Sequence, residues 1–281
     1  MFDDDQERSP AELRSAVARA LGSDMAFQIV TTGRWEMAGR IAQAYRRGRV
    51  FLAGDAAHQL PPTRGGFGAN TGIADGWNLA WKLERVLDGR SDTRLLDTYD
   101  AERRPVGWLR HQQTFSRPDC ADWVGAEFGA DPLLGNDAME FGELVRSEAI
   151  CGAKNELPPA ASIAMWAGQP GTRAPHVWVD RAGDRVSTLD LFGRDYVLLA
   201  KDRRWLSAAE GLGIVAVAVA SDVLFPLSEP FTDAFGVEAT GAVLVRPDGI
   251  IAWRSRDGSD ADLDSVLASA FAKVAFVPPE A

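Results

Sequence analysis

The stretch GRVFLAGDAAHQLPPTRGGFGANTGIADGWNLAWKL, which spans Gly48–Leu83, holds the residue types best suited to bind a ligand. Asp55 follows Gly54 directly after an apolar run, and ligands of open α/β sheets gather at such strand ends. A carboxylate there can accept hydrogen bonds from a polyol, but the same position also suits the N-cap of the next turn. Spacing alone leaves both roles open. Pro61 and Pro62 then fix the path of the chain.

A glycine cluster, RGGFGAN, follows the prolines. Gly65, Gly66 and Gly68 can adopt positive φ and let bare backbone approach a ligand closely. The cluster leads into a helix that we expect to begin at Asn70 or Thr71. The N-terminus of a helix favours negative charge, so a planar ring that becomes anionic can be stabilised there. The alternative is a glycine loop that serves packing alone.

The helix TGIADGWNLAWKLERVLDG carries apolar residues at helical spacing, which predicts that this face is buried in the core. Gly89 is expected to end the helix. The predicted core-facing residues are Ile73, Trp77, Ala80, Trp81 and either Leu83 or Leu87.

Three further residues have side chains that can take part in chemistry. His58 lies three positions after Asp55, and we expect it to be a turn residue rather than a catalytic group. Glu102 and Arg103, in the sequence ERRP, are expected to form ion pairs on a helix face.

The elements before the glycine cluster follow from local patterns. Ser9, Pro10 and Glu12 form a capping-box signature for a helix that ends at Gly22. Alternation in AFQIVTTGRWEM predicts a strand, and AGRIAQAYRRG predicts a short helix with a basic end. The apolar run RVFLAGD predicts a strand buried on both faces, as in a parallel sheet.

The segment after the glycine cluster is expected to be mainly helical. SDTRLLDTYDAERRPVGWLRHQQTF predicts a helix with Leu95, Leu96 and Tyr99 facing inward, and with a kink or break at Pro105. FGELVRSEAI predicts another helix.

The last part of the chain has a β-α-β pattern. The strand candidates are HVWVD, YVLLA, GIVAVAVA and GAVLVRPDGIIAWRS. Pro247, Asp248 and Gly249 mark a hairpin turn within the last of them. ADLDSVLASAFAKV predicts an amphipathic helix at the end.

The Gly-Asp motif, the prolines, GGFGAN, GIADGWNLAWKL and LLDTYDAERRPV together resemble the C-terminal flavin-binding segment of the group A FAD-dependent aromatic hydroxylases. These enzymes share the para-hydroxybenzoate hydroxylase fold. The chain looks most similar to the phenol and polyketide hydroxylases, which carry an added thioredoxin-like domain.

The resemblance implies specific roles around FAD. Asp55 would bind the ribityl chain, Gly54 would be a further cofactor-binding residue, and Pro61 and Pro62 would lie beside the isoalloxazine ring. Backbone donors near the flavin N1–C2=O edge would come from Gly66, Phe67, Gly68, Ala69 and Asn70.

The predicted fold class is α/β. A partial FAD-binding domain without its N-terminal Rossmann strands would occupy residues 1–117, and a helical linker region would occupy residues 118–165. A thioredoxin-like domain without C-x-x-C would occupy residues 166–281. Cys120 and Cys151 are the only cysteines and are not adjacent in sequence, so a thiol redox role is not expected.

The resemblance also implies an activity. In this family NADPH reduces FAD, and a flavin hydroperoxide transfers one oxygen atom to a phenolic or polyketide-type ring. The chain contains no G-x-G-x-x-G fingerprint for the ADP half of FAD. FAD binding by this chain alone is therefore expected to be weak or absent, and activity is expected only with a missing N-terminal half. The alternative is a non-catalytic binding or interaction module derived from such an enzyme.

Composition restricts the partners. The chain of 281 residues has 30 basic and 40 acidic side chains and a net charge of −10. This charge argues against nucleic acid as a binding partner. The start MFDDDQERSP does not suit a secretory signal, and no apolar run reaches membrane-spanning length. We expect a cytoplasmic protein with an aromatic small-molecule substrate, and with a separate N-terminal half or a second copy of itself as partner.

Overall fold

A computed structural model describes residues 8–23, 25–33, 38–61, 66–124, 129–258 and 262–279. The chain divides into two compact units, residues 1–37 and residues 38–281. The two units are described separately. Among the described residues, no helix has the length and apolar character needed to cross a membrane.

The first unit contains helix α1 (Pro10–Leu21). Its predicted capping box is confirmed, because Ser9 and Glu12 exchange hydrogen bonds and Gly22 ends the helix at φ 63°. The strand predicted from AFQIVTTGRWEM is wrong over residues 26–33, which form no strand. A strand needs a hydrogen-bonded neighbour, and the described part of this unit pairs no segment with it. Residues 34–37 lie outside the described residues.

The second unit begins with four strands of two residues each, which pair in antiparallel fashion as β1 with β4 and β2 with β3. They are β1 (Arg40–Ile41), β2 (Arg46–Arg47), β3 (Val50–Phe51) and β4 (His58–Gln59).

Two predictions for this segment are therefore wrong. The helix predicted from AGRIAQAYRRG is replaced by β1 and β2, because Tyr45 is fully buried and its N–H donates to Asp100 at 2.6 Å. The buried parallel strand predicted from RVFLAGD is instead the short β3, in which Val50 is 64% exposed. Gly48, at φ 62°, makes the tight β2–β3 turn that turns this segment back along the chain.

Two long helices follow, α2 (Phe67–Leu87) and α3 (Asp97–Phe115). Helix α2 begins at Phe67, three residues before Asn70. Pro105 lies inside α3 without ending it, so the predicted break is wrong. The predicted burial of three residues is confirmed: Leu95, Leu96 and Tyr99.

The buried face of α2 is polar, contrary to the prediction. Ile73 is 70% exposed, Trp77 58% and Leu87 82%, whereas Trp81 alone among the predicted core residues is buried. Ala80 is exposed and Leu83 is half-buried. The helix is oriented by charged partners on α3 and in the C-terminal part of the chain, which bind its polar face. The buried residues of α2 are Thr71, Asp75, Asn78, Trp81, Lys82 and Arg85.

Between the helices and the C-terminal sheet lies a mostly irregular segment that contains α4 (Asn136–Phe141). The helix predicted from FGELVRSEAI is wrong after residue 141. Glu143 instead forms a β-bridge with Ala160, and Leu144 N–H donates to the carbonyl of Pro159 at 2.9 Å. These pairings to a distant segment replace the local hydrogen bonds of a helix.

The C-terminal part contains a β5–β6 hairpin and a four-stranded sheet in the order β10-β9-β7-β8. Strands β7 and β8 are parallel, and the other pairs of this sheet are antiparallel. The strands are β5 (Trp178–Arg181), β6 (Asp184–Ser187), β7 (Val197–Ala200), β8 (Val215–Ala218), β9 (Ala242–Val245) and β10 (Ile251–Ser255). The helices are α5 (Arg203–Ala208), α6 (Phe231–Phe235) and α7 (Leu263–Val274). Every predicted strand of this part is confirmed, as are the hairpin turn and the final helix; β6 was not predicted.

The four-stranded sheet is buried on both faces. Along β7, Leu198 and Ala200 belong to one apolar cluster, while Val197 and Leu199 belong to another, as the period of two in a strand requires. Trp81 of α2 belongs to the first cluster, with its ring 5.8 Å from that of Tyr196. The sheet therefore packs directly against α2.

Candidate functional site

The Gly54–Asp55 motif forms a tight turn at the surface. Gly54 has φ 59°, a conformation that favours glycine, and its carbonyl accepts a hydrogen bond from Ala57 N–H at 2.8 Å. The turn leaves Asp55 exposed, while Ala57 is buried. The carboxylate of Asp55 is therefore accessible to a ligand.

Residues 66–70 of the glycine cluster form the N-terminal end of α2, and Gly65 lies outside the described residues. Gly66, at φ 61°, is the N-cap residue and offers no side-chain cap to the first N–H groups of the helix. A Cβ at Gly68 would meet no atom within 4 Å, so the backbone there has open space. Ala69 and Asn70 are exposed, and Phe67 is half-buried.

One of the two prolines lies among the described residues. Pro61 is buried. Pro62 lies outside the described residues. The predicted contact of both prolines with a flavin ring stays a prediction.

The structure brings the Gly54 turn and helix α2 into backbone contact. A Cβ built on Gly72 would lie 3.0 Å from Cα of Gly54, closer than an ordinary contact. A side chain at Gly72 would therefore push the turn away from the helix. Because Gly72 lies only two residues beyond the exposed Asn70, the exposed turn and the open N-terminal end belong to one region of the molecule.

Asp75 anchors the turn from beneath and was not singled out from the sequence. Its Oδ2 accepts a hydrogen bond from Gly54 N–H at 3.1 Å and lies 2.7 Å from His58 Nε2, while its Oδ1 accepts one from Arg103 Nε at 2.8 Å. Burial raises the pKa of the Asp75 carboxyl, but the hydrogen bond with His58 and the charge of Arg103 outweigh burial and hold this pKa below 3.8. The only sequence signal was a charged residue close to the apolar residues Ile73 and Trp77.

His58 lies in strand β4 and is fully buried, so the prediction that it is a turn residue is wrong. Its ring centroid lies 6.1 Å from that of Tyr45, which is also fully buried. Burial, followed by the negative charge of Asp75, raises the pKa of the Tyr45 hydroxyl. Tyr45 therefore stays neutral beneath the turn.

Glu102 is the centre of a second buried charge cluster. Its carboxylate accepts hydrogen bonds from Lys82 at 3.0 Å, from Asn78 at 2.8 Å and from Ser147 at 2.6 Å. Arg246 donates two more. Glu102 and Arg103 do form ion pairs, as predicted, but both are buried instead of lying on an exposed helix face.

A hollow of about 380 Å³ lies between the β2–β3 hairpin and the start of α3. It is lined by Arg46, Gly48, Asp97 and Asp100, and Arg46 and Asp97 form a salt bridge at 2.6 Å. None of the predicted flavin-binding residues lines this hollow. In the part of the chain that the structure describes, no group of three or more His, Cys, Asp and Glu residues is arranged to hold a metal ion.

Two known domain families match long segments of this chain. The sequence model of an FAD binding domain matches residues 2–114, and that of the C-terminal domain of aromatic-ring hydroxylases matches residues 167–273. A 4-methyl-5-nitrocatechol 5-monooxygenase from Burkholderia sp. is 41% identical over 278 residues, which are 92% of this chain and 50% of that protein. This chain belongs to the FAD-dependent aromatic hydroxylases.

Other members of the hydroxylase family agree with this assignment. Tetracenomycin B2 monooxygenase-dioxygenase from Streptomyces olivaceus is 42% identical over 267 residues, covering 89% of this chain and 48% of that protein. The crystal structure of aklavinone-11 hydroxylase with FAD and aklavinone superimposes with a TM-score of 0.85 at 36% identity, over 98% of this chain and 53% of that one. This hydroxylase-family chain thus spans about half the length of the curated relatives it matches.

The residues present fit one side of FAD. The exposed carboxylate of Asp55 is an acceptor for the hydroxyl groups of a ribityl chain, and the open backbone at Gly68 accepts the close approach of a planar ring. The N-terminal end of α2 favours the negative charge of a reduced flavin. For the ADP half, the sequence offers no glycine fingerprint.

Proposed function

We propose that this chain supplies the ribityl and isoalloxazine side of the FAD site in an FAD- and NADPH-dependent monooxygenase that hydroxylates a phenolic or polyketide-type aromatic ring. The observation that carries the proposal is the backbone contact between the Gly54 turn and α2, which puts the exposed Asp55 and the open Gly66–Asn70 end of that helix in one region. FAD would supply the redox and oxygen-transfer chemistry.

Each proposed site residue has a distinct task. Asp55 binds the ribityl hydroxyls, and Pro61 and Pro62 border the ring. Backbone N–H groups at the start of α2 stabilise the negative charge near flavin N1. The residues that supply this backbone are Gly66, Phe67, Gly68, Ala69 and Asn70.

The apolar face of α2 supports a second chain or segment as part of the active protein. Three large apolar residues of α2 are more than half exposed: Ile73, Trp77 and Leu87. They are spaced by four and ten residues along the helix. Exposed large apolar residues in one stripe mark an interaction surface. We propose that the half of the relatives that this chain does not match, with its dinucleotide-binding strands, covers the stripe; a second copy of the chain is the competing occupant.

The C-terminal part is proposed to be thioredoxin-like, spanning residues 166–281. The order β10-β9-β7-β8, with one parallel pair, supports this fold. Its role is structural, because Cys120 and Cys151 provide no C-x-x-C motif. Its contact with Trp81 indicates that it stabilises α2.

A non-catalytic interaction module is the second candidate function. The absence of G-x-G-x-x-G from the sequence favours it, because the pyrophosphate of FAD would then have no cradle in this chain.

Flavin binding distinguishes the two candidates. The chain would be titrated with FAD alone and after mixing with the unmatched half of the Burkholderia relative, with flavin absorbance and phenol-stimulated NADPH oxidation as readouts. Asp55→Ala should weaken FAD binding without lowering the melting temperature, because Asp55 is exposed. The matched control is Asp184→Ala, an exposed carboxylate on β6. A folded but colourless and inactive mixture would favour the interaction module.

A further inference from the structure

We propose that Glu143 is a positioning residue that holds both backbone elements of the flavin site through two buried arginines. The inference rests on the proposed function, since it concerns the same site. Glu143 lies two residues after the end of α4, in the β-bridge with Ala160. Its Oε1 accepts a hydrogen bond from Arg110, and its Oε2 lies 3.7 Å from Arg103 Nη1.

The first branch runs from Glu143 to the Gly54 turn. Arg103 Nε donates to Asp75 at 2.8 Å, and Asp75 in turn accepts from Gly54 N–H at 3.1 Å. Arg103 also donates to the carbonyl of Thr71 at 3.3 Å, in the second turn of α2. This arginine therefore holds the turn and the helix in their mutual contact.

The second branch runs from Glu143 to the glycine cluster. The guanidinium carbon of Arg110 lies 4.9 Å from the ring centroid of Phe67, a cation–π contact at the first residue of α2. Phe67 lies directly between Gly66 and Gly68, whose backbone has little side-chain packing to hold it. The contact between Arg110 and the Phe67 ring thus helps to fix this end of the helix.

Charge explains why one carboxylate controls both branches. Arg103 and Arg110 are each 5% exposed and lie seven residues apart on α3, so both project toward the same side of the helix. Two buried guanidinium groups so placed repel each other unless an anion lies between them. Burial lowers the pKa of Arg110, and the negative charge of Glu143 opposes that shift. Removal of that charge would disturb both arginines and hence both backbone elements.

Amide hydrogen exchange of the full chain without FAD tests this inference. Glu143→Gln keeps the shape of the side chain and removes its charge. We expect exchange at Gly54 and at Asn70–Gly72 to become about tenfold faster, because hydrogen bonds to charged groups are lost. Exchange in β7 and β9 should stay unchanged, and Glu143→Asp should restore part of the protection. Glu148→Gln, an exposed carboxylate in the same segment, is the matched control.

A second variant separates positioning from general loss of stability. Arg110→Met removes only the second branch, so exchange should rise at Asn70 and not at Gly54. Unchanged exchange at Gly54 and Asn70 in Glu143→Gln would overturn the inference, and so would a uniform rise that includes β7 and β9. FAD affinity is measured separately. If the exchange results are as expected but the wild-type chain and its mixtures never bind FAD, the positioning role stands and the proposed function fails.

Discussion

Arg246, which directly follows strand β9, donates hydrogen bonds from both Nη atoms to the two carboxylate oxygens of Glu102 in α3, at 2.7 and 2.9 Å. Neither side chain has exposed surface, and 144 positions separate them in sequence. Asp248, in the β9–β10 turn, accepts from the same arginine and from Asn78 of α2. A single turn of the C-terminal sheet is thereby bonded to both long helices.

Removal of Arg246 should be strongly destabilising. Arg246→Met leaves the buried Glu102 with Lys82 as its remaining cation, and it leaves Asp248 without its arginine. Breaking a buried pair in this way costs about 3–5 kcal/mol of unfolding free energy. Urea denaturation followed by tryptophan fluorescence measures the loss.

The control is an exposed ion pair that also joins the C-terminal part to α2. Arg194 donates to Glu84 at 2.9 Å, and the arginine side chain is 75% exposed. Because water screens this pair, Arg194→Gln should cost less than about 1 kcal/mol. Equal losses in the two variants would show that the burial of the Glu102 cluster is not what makes it stabilising.

Stability should fall in acid because of the same cluster. Burial raises the pKa of Glu102, but the positive charges of Arg246 and Lys82 outweigh burial and hold this pKa far below 4.5. The unfolded chain keeps the ordinary pKa and so binds the proton first as the pH falls. The contribution of Glu102 is therefore complete above about pH 4.5 and decreases progressively below it.

Asp75 adds to this effect with the same sign, because its pKa is also lowered from 3.8. Urea midpoints measured between pH 7 and pH 3 should decrease, most steeply below about pH 4.5. Glu102→Gln should be less stable at pH 7 and should show a shallower decrease. An unchanged slope in this variant would assign the acid sensitivity to other groups.

The orientation of α2 shows what the sequence could not reveal. Ile73 and Trp77 have the spacing of a core face, and Asp75, Asn78 and Lys82 have the look of a solvent-exposed face. In the structure the polar face is buried, because its partners come from distant positions. Asn78, for example, donates to Asp248, 170 residues away. Hydrophobic periodicity within one helix carries no information about such partners.

Features that depend on neighbouring residues were predictable. The capping box of Ser9 and Glu12 and the hairpin at Pro247–Gly249 each arise from local chemistry. The open backbone of residues 66–70 was also indicated, because the glycine motif is contiguous in the sequence. The two-residue strands of residues 40–59 were not predictable, since two residues are too short to show a period.

Substitution of alanine for glycine should have different effects on stability at two positions of α2. Gly76 has open space around a new Cβ, so Gly76→Ala should raise the unfolding free energy by about 0.5–1 kcal/mol through helix propensity. Gly72→Ala would place its Cβ 3.0 Å from Cα of Gly54, whose N–H is held by Asp75. We expect Gly72→Ala to lose that gain and to weaken FAD binding.

Thermal unfolding and FAD titration of the two variants, in the arrangement in which the wild type binds FAD, provide the comparison. Both positions lie on the same helix, so the gain in helix propensity from glycine to alanine is the same in the two variants. If Gly72→Ala were as stable as Gly76→Ala and bound FAD equally well, the close contact between helix and turn would have no part in the site.

Substitutions of Trp77 and of Trp81 should separate effects on assembly from effects on folding. Trp81 is 5% exposed and packs edge-on against Tyr196, so Trp81→Ala should cost about 3–5 kcal/mol of unfolding free energy. Trp77 is 58% exposed, so Trp77→Ala should change the unfolding free energy of this chain by no more than about 0.5 kcal/mol.

For association with the unmatched half, Trp77→Ala should have the larger effect of the two substitutions. If the apolar stripe of α2 is covered by the unmatched half of the relatives, Trp77→Ala should weaken binding of that half by tenfold or more, since large aromatic residues dominate interface energies. Calorimetric titration measures the affinity, and sedimentation of the chain alone reports whether a second copy covers the stripe instead. An affinity unchanged by Trp77→Ala, in a mixture that does associate, would place the interface elsewhere, because a buried indole cannot be removed from a close-packed contact without loss.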